Sequence, residues 1–139
     1  MLIRLTIVLL LGIGASTLWA QTAPAPALSQ MSKLYQLTPE QEAELATILA
    51  RELRNISEIA SLRTSAPDEY LERMRAIRKS TRAATRRMLN DTQRQLFQAA
   101  SQRERSEWAQ RYKALQMQGL SPTEIELQLT AEYLEEKGW

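Results

Sequence analysis

Five cations fall at helical spacing in the middle of the chain, and they define the chemistry available to it. Arg75, Lys79, Arg82 and Arg86 are separated by 4, 3 and 4 residues, so on a helix they form one stripe. Arg78 lies between that stripe and a neighbouring apolar set, Met74, Ile77 and Met88. Such a combination suits binding: guanidinium and ammonium groups attract acidic partners, and flexible methionines adapt to varied apolar surfaces. It does not suit catalysis. The chain has no histidine and no cysteine, so the commonest general base, thiolate nucleophiles and thiolate metal sites are all excluded. Its Ser, Lys and carboxylate residues show no spacing that assembles a nucleophile, a base and an orienting group. No enzyme activity, no cofactor and no metal site are therefore expected.

The stripe needs a helix to carry it, and the composition supplies one. Glu, Arg, Gln, Leu and Ala are abundant, while the 139 residues include only four Gly and five Pro. Capping signals place the boundaries. Thr38-Pro39-Glu40-Gln41 combines a capping hydroxyl, a proline where a missing N–H does no harm and a glutamine at capping-box spacing. Asn90-Asp91-Thr92-Gln93 and Ser121-Pro122-Thr123-Glu124 repeat that design, and Pro67 interrupts the chain between the first two. The expected architecture is all-α, with about four amphipathic helices over residues 38–63, 67–89, 91–118 and 122–137, in an extended bundle. Charge alternates along this order. Residues 37–62 carry a net −3, residues 63–111 a net +6 and residues 112–139 a net −3.

Two segments precede the helices. Arg4 followed by the apolar run Leu5 to Ala15 and a small-residue exit at Ala20 reads as a secretory signal over residues 1–20, too short to span a bilayer comfortably. The Ala/Pro alternation after it predicts a flexible leader over residues 21–30. Residues 31–139 are then a single helical domain working in the periplasm. Export also removes nucleic acid as a partner for the basic stripe, and contact with a membrane is expected to be transient at most.

The helix entrances carry a further signal. Leu37-Thr38-Pro39-Glu40-Gln41 and Leu89-Asn90-Asp91-Thr92-Gln93, separated by a basic helix and placed behind a signal segment, resemble the paired LTxxQ motifs of the Spy/CpxP family. The second motif keeps Leu89 and Gln93 but has Asn90 where the family has threonine. The family comprises small periplasmic helical proteins that include ATP-independent chaperones, envelope-stress regulators and zinc-resistance-associated proteins. The resemblance implies a helical dimer whose concave basic and apolar face holds unfolded or partly folded envelope proteins, or engages a sensor protein. In that reading Met74, Arg75, Ile77, Arg78, Lys79, Arg82, Arg86 and Met88 form the client-binding surface. The competing reading makes Met74, Ile77 and Met88 core and pairs the cations with the acidic helices. An alternative function is a periplasmic metal-responsive regulator or sensor accessory protein without chaperone activity, for which Glu132, Glu135 and Glu136 are the clustered carboxylates to examine.

Overall fold

The structure is a computed structural model that describes residues 25–139. The expected signal segment, and the leader as far as residue 24, lie outside the described residues. Six helices succeed one another: α1 (Ala25–Tyr35), α2 (Pro39–Ile59), α3 (Leu62–Ser65), α4 (Pro67–Met88), α5 (Asp91–Met117) and α6 (Pro122–Glu136). There is no strand among the described residues, and none of their helices is long and apolar enough to cross a membrane. The all-α class therefore stands, with six helices among the described residues in place of about four.

Both additional helices have local causes. The first helix expected over 38–63 breaks near Ala60, and its remainder becomes the single turn α3. Pro67 then forces Ala66 out of helical geometry, to φ −149° and ψ 72°, and starts α4. The other additional helix corrects the reading of residues 21–30 as a flexible leader, because from Ala25 onward they are helical. Pro26 sits in the first turn of α1, where its missing N–H leaves no hydrogen bond unmade. Ala27 and Tyr35 are buried, and Tyr35 meets Phe97 of α5 with ring centroids 5.6 Å apart. The leader is thus drawn into the core by its few apolar residues.

α2 packs mainly on α4, and α5 on α6 and α1. The core is divided accordingly. Ile56 and Ile59 of α2 meet Tyr70, Leu71 and Met74 of α4; Ala27 meets Leu45 and Leu49; Leu115 meets Ile125 and Leu129. Trp139 packs against the first two clusters and joins them. It reaches them because Gly138, at φ 75°, turns the chain at the end of α6. The Trp139 N–H bonds to the Leu134 carbonyl at 2.9 Å, and the Gly138 N–H to Glu135 at 2.9 Å. Gly119 closes α5 by the same paired hydrogen bonds. α1 ends in this way too, but with Gln36 at φ 53°, where a side chain is strained.

Capping boxes form at Thr38 with Gln41, Asn90 with Gln93, and Ser121 with Glu124, whereas the fourth expected from the spacing of Ser65 and Asp68 does not, because α4 starts after Ala66, which offers no side-chain cap. Two of them are also joined to each other. Gln41 Nε2 donates to Gln93 Oε1 at 2.8 Å, and Gln93 Nε2 returns the bond to Gln41 Oε1 at 2.8 Å. Each amide has a second donor. Gln41 bonds to the carbonyl of Met88, just ahead of the second motif, and Gln93 to that of Gln36, just ahead of the first. The entrances of α2 and α5 are therefore clamped together, which fixes where α4 can lie between them.

Two stability measurements test this account by urea unfolding. Gln93→Ala removes a buried amide and strips partners from Gln41, Asn90 and Gln36, and is expected to cost about 2–3 kcal/mol. A double-mutant cycle with Gln41→Ala should show coupling above about 0.5 kcal/mol; additive losses would mean that the two amides act independently. Gln36→Gly relieves the positive φ and is expected to stabilise the fold by about 0.5–1 kcal/mol.

Candidate functional site

α4 and α5 leave a hollow of about 640 Å³ between them. One wall is the basic side of α4, with Arg75, Arg78, Lys79 and Arg82; the other is α5, with Glu104, Arg105, Trp108 and Tyr112, and Glu126 of α6 closes one side. The walls are tied by one carboxylate. Glu104 accepts from Arg82 at 3.0 Å and from Arg78 at 3.4 Å, and Arg75 approaches Glu126 at 3.9 Å. Arg78 is the most enclosed of these cations. Its guanidinium lies 4.9 Å from the Trp108 ring centre and 4.1 Å from that of Tyr133, and its side chain keeps only 20% of its exposure. The hollow thus combines aromatic surface with a cationic rim.

Behind this wall lies a buried ionic cluster that holds α6 in place. Glu52 stands in the middle of the apolar stripe of α2 and is 1% exposed. The Tyr133 hydroxyl donates to its Oε1 at 3.0 Å, while Oε2 has no hydrogen bond and faces Lys137 Nζ at 3.6 Å. Lys137 also stacks over Tyr133 at 4.5 Å and over Trp139 at 4.9 Å. Burial pushes the Glu52 carboxyl above the usual carboxylate range, opposed by the nearby Lys137 charge. Burial likewise pushes Lys137 below the usual lysine range, opposed by Glu52. The Tyr133 hydroxyl is raised by burial first and by the Glu52 charge second, so it remains a donor. Tyr133 therefore touches one cation of each group, Arg78 of the rim and Lys137 of the buried cluster.

The expected client-binding residues divide into two groups. Arg75, Arg78, Lys79 and Arg82 come together in the hollow. Met74, Ile77 and Met88 do not line it. Met74 is 1% exposed in the α2–α4 core, Ile77 packs on that core, and Met88 packs on the cluster of Ala27, Leu45 and Leu49. The reason is rotational. Helix α4 turns its methionine side toward α2, so the apolar flank of the stripe is consumed by packing. Arg86 is exposed beyond the hollow's lining. The apolar part of the site comes instead from Trp108 and Tyr112, four residues apart on α5. That spacing was visible in the sequence, but it reads as an ordinary core-facing pair until the gap between α4 and α5 is known.

The motif residues serve as structure: Thr38, Pro39 and Gln41 start α2, and Leu89, Asn90 and Gln93 start α5, with Leu89 buried. Leu37 is half-buried against the Ala27 cluster, and Glu40 is exposed in the first turn of α2. Among the described residues no three metal-ligating side chains converge, and Glu132, which lines a surface hollow with Glu135 and Glu136, is ion-paired with Arg111. Comparison with known protein families, curated proteins and solved structures finds no match to this chain.

The buried pair has a sharp energetic signature. Glu52→Ala leaves the Lys137 ammonium uncompensated and is expected to cost about 3–5 kcal/mol, whereas replacing both partners by residues of similar volume costs far less. Its pH dependence stems from the raised Glu52 value. The folded protein binds the Glu52 proton more tightly than the unfolded chain does. This contribution to stability is complete below the ordinary carboxylate value and is lost as pH rises through the raised folded value. The lowered Lys137 value acts at the other end: its contribution is present above the ordinary lysine value and is lost as pH falls through the lowered one. In a Glu52→Gln/Lys137→Gln variant neither group titrates. Urea unfolding from about pH 4 to pH 8 should then lose the decline that the parent shows above the ordinary glutamate range. Parallel profiles for parent and variant would contradict the assignment.

Proposed function

We propose that this chain is an exported envelope-stress protein that acts in the periplasm as an ATP-independent, holdase-like chaperone or stress adaptor. The observation that carries the reading is the hollow itself, which presents Arg75, Lys79 and Arg82 opposite Trp108 and Tyr112. Partly folded proteins expose apolar and acidic segments together, and a surface with aromatic platforms under a cationic rim matches both. No energy source is needed, because capture and release are equilibria set by how much of the client's own core remains exposed. The rim charges chiefly raise the rate of encounter, and their effect declines with salt. The paired motifs and the apolar run at residues 5–15 support the envelope context.

A homodimer forms part of the proposal. Met117 at 81% and Leu34 at 45% exposure are large apolar side chains left to solvent in one copy, and both offer surface to a second. Engagement of a sensor protein in place of an unfolded client would use the same hollow.

Aggregation of a chemically denatured client, followed by light scattering without ATP, tests the reading. At stoichiometric ratio the protein is expected to suppress scattering, and Arg75→Glu/Lys79→Glu/Arg105→Glu to abolish the effect. Arg86→Glu/Arg87→Glu, nearby on α4 but outside the hollow, should leave it intact. No suppression by the parent, or equal loss in both variants, would refute the chaperone role.

A further inference from the structure

The hollow between α4 and α5 has a more specific chemistry than a general client surface requires. Its volume of about 640 Å³ lies within the range of about 300–1,000 Å³ typical of cavities for single small ligands. Positive charge lines both walls, with Lys79 on α4 and Arg105 on α5. Arg78 and Arg82 share the single carboxylate of Glu104, and Arg75 is weakly opposed by Glu126. Neither Lys79 nor Arg105 makes an ion pair among the described residues. Two like charges facing one space repel each other, and an anion placed between them removes that repulsion.

The inner surface of the hollow selects the remainder of the ligand. Trp108 and Tyr112 offer apolar area, while Glu104 is engaged by Arg78 and Arg82 and Glu126 lies 3.9 Å from Arg75. A peptide backbone pressed against this apolar area would have to shed water from its N–H and C=O groups, which is costly. An acyl chain brings none.

We infer that the hollow binds a single monoacyl anionic lipid, its headgroup between Lys79 and Arg105 and its chain against Trp108 and Tyr112. This goes beyond the chaperone reading, since it assigns the hollow a defined small ligand that would compete with clients for the same rim.

The test is displacement of the anionic aromatic dye 1-anilinonaphthalene-8-sulfonate from the purified protein, with lipids kept below their critical micelle concentrations. Oleate and lysophosphatidylglycerol should each displace the dye at one molecule per chain, about tenfold more tightly than zwitterionic lysophosphatidylcholine. Lys79→Glu/Arg105→Glu should weaken both anionic lipids by at least about tenfold, and Arg86→Glu/Arg87→Glu by less than about twofold. Equal binding of the zwitterionic lipid, insensitivity to the Lys79/Arg105 reversal, or displacement by inorganic phosphate at the same concentration would each overturn the assignment. Failure here with aggregation suppression intact removes the lipid and leaves the chaperone. Displacement without suppression does the reverse.

Discussion

A primary amide carries two N–H donors and a carbonyl with two acceptor positions, and at the junction of α2 and α5 both glutamines use all of them. Gln41 and Gln93 each close their own capping box, each donate to the other, and each hold the carbonyl that precedes the opposite motif. A buried amide with any of these bonds missing would be a liability of about 1–3 kcal/mol; with all of them made it specifies one relative position of two helices. The separation of α4 from α5, and so the existence of the hollow, depends on that position. α4 enters the junction through Met88 and leaves it for α2, while α5 leaves it toward α1 and α6.

Boundaries were legible in the sequence because capping is local. Thr38, Asn90 and Ser121 find their partners three residues away, so the starts of α2, α5 and α6 require no knowledge of the rest of the chain. Pro67 is equally self-contained. The basic stripe was legible for the same reason, since its spacing is a property of one helix. α1 was not legible, because proline in residues 21–30 reads as a helix breaker until its position in the first turn is known. The direction in which Met74, Ile77 and Met88 point was hidden too, since it depends on which neighbour takes that side of α4.

Glu52 illustrates the limit most clearly. A single acid in an otherwise apolar stripe looks like an imperfection, and its partner Tyr133 lies 81 residues further along. Only the return of α6 across α2 and α4 brings Tyr133 and Lys137 to it. Residues beyond position 100 therefore complete the core rather than trail from it: Leu115, Ile125 and Leu129 form one of the three clusters, and Trp139 links the other two. Arg78, at the rim of the hollow, and Lys137, in the buried cluster, both lie over the Tyr133 ring.

The reciprocity of the glutamine junction has a topological consequence. Gln36 and Met88, Thr38 and Asn90, and Gln41 and Gln93 are each 52 residues apart, and the bonds made by one member of each pair are mirrored by the other. The two consecutive helix pairs, α1–α2 and α4–α5, thus carry the same docking code. An exchange of these halves between two chains would preserve every hydrogen bond of the junction, so the junction by itself does not distinguish a closed monomer from a swapped pair. That choice falls to the short connection from Ala60 to Ala66, whose length and stiffness set the effective concentration of one half around the other.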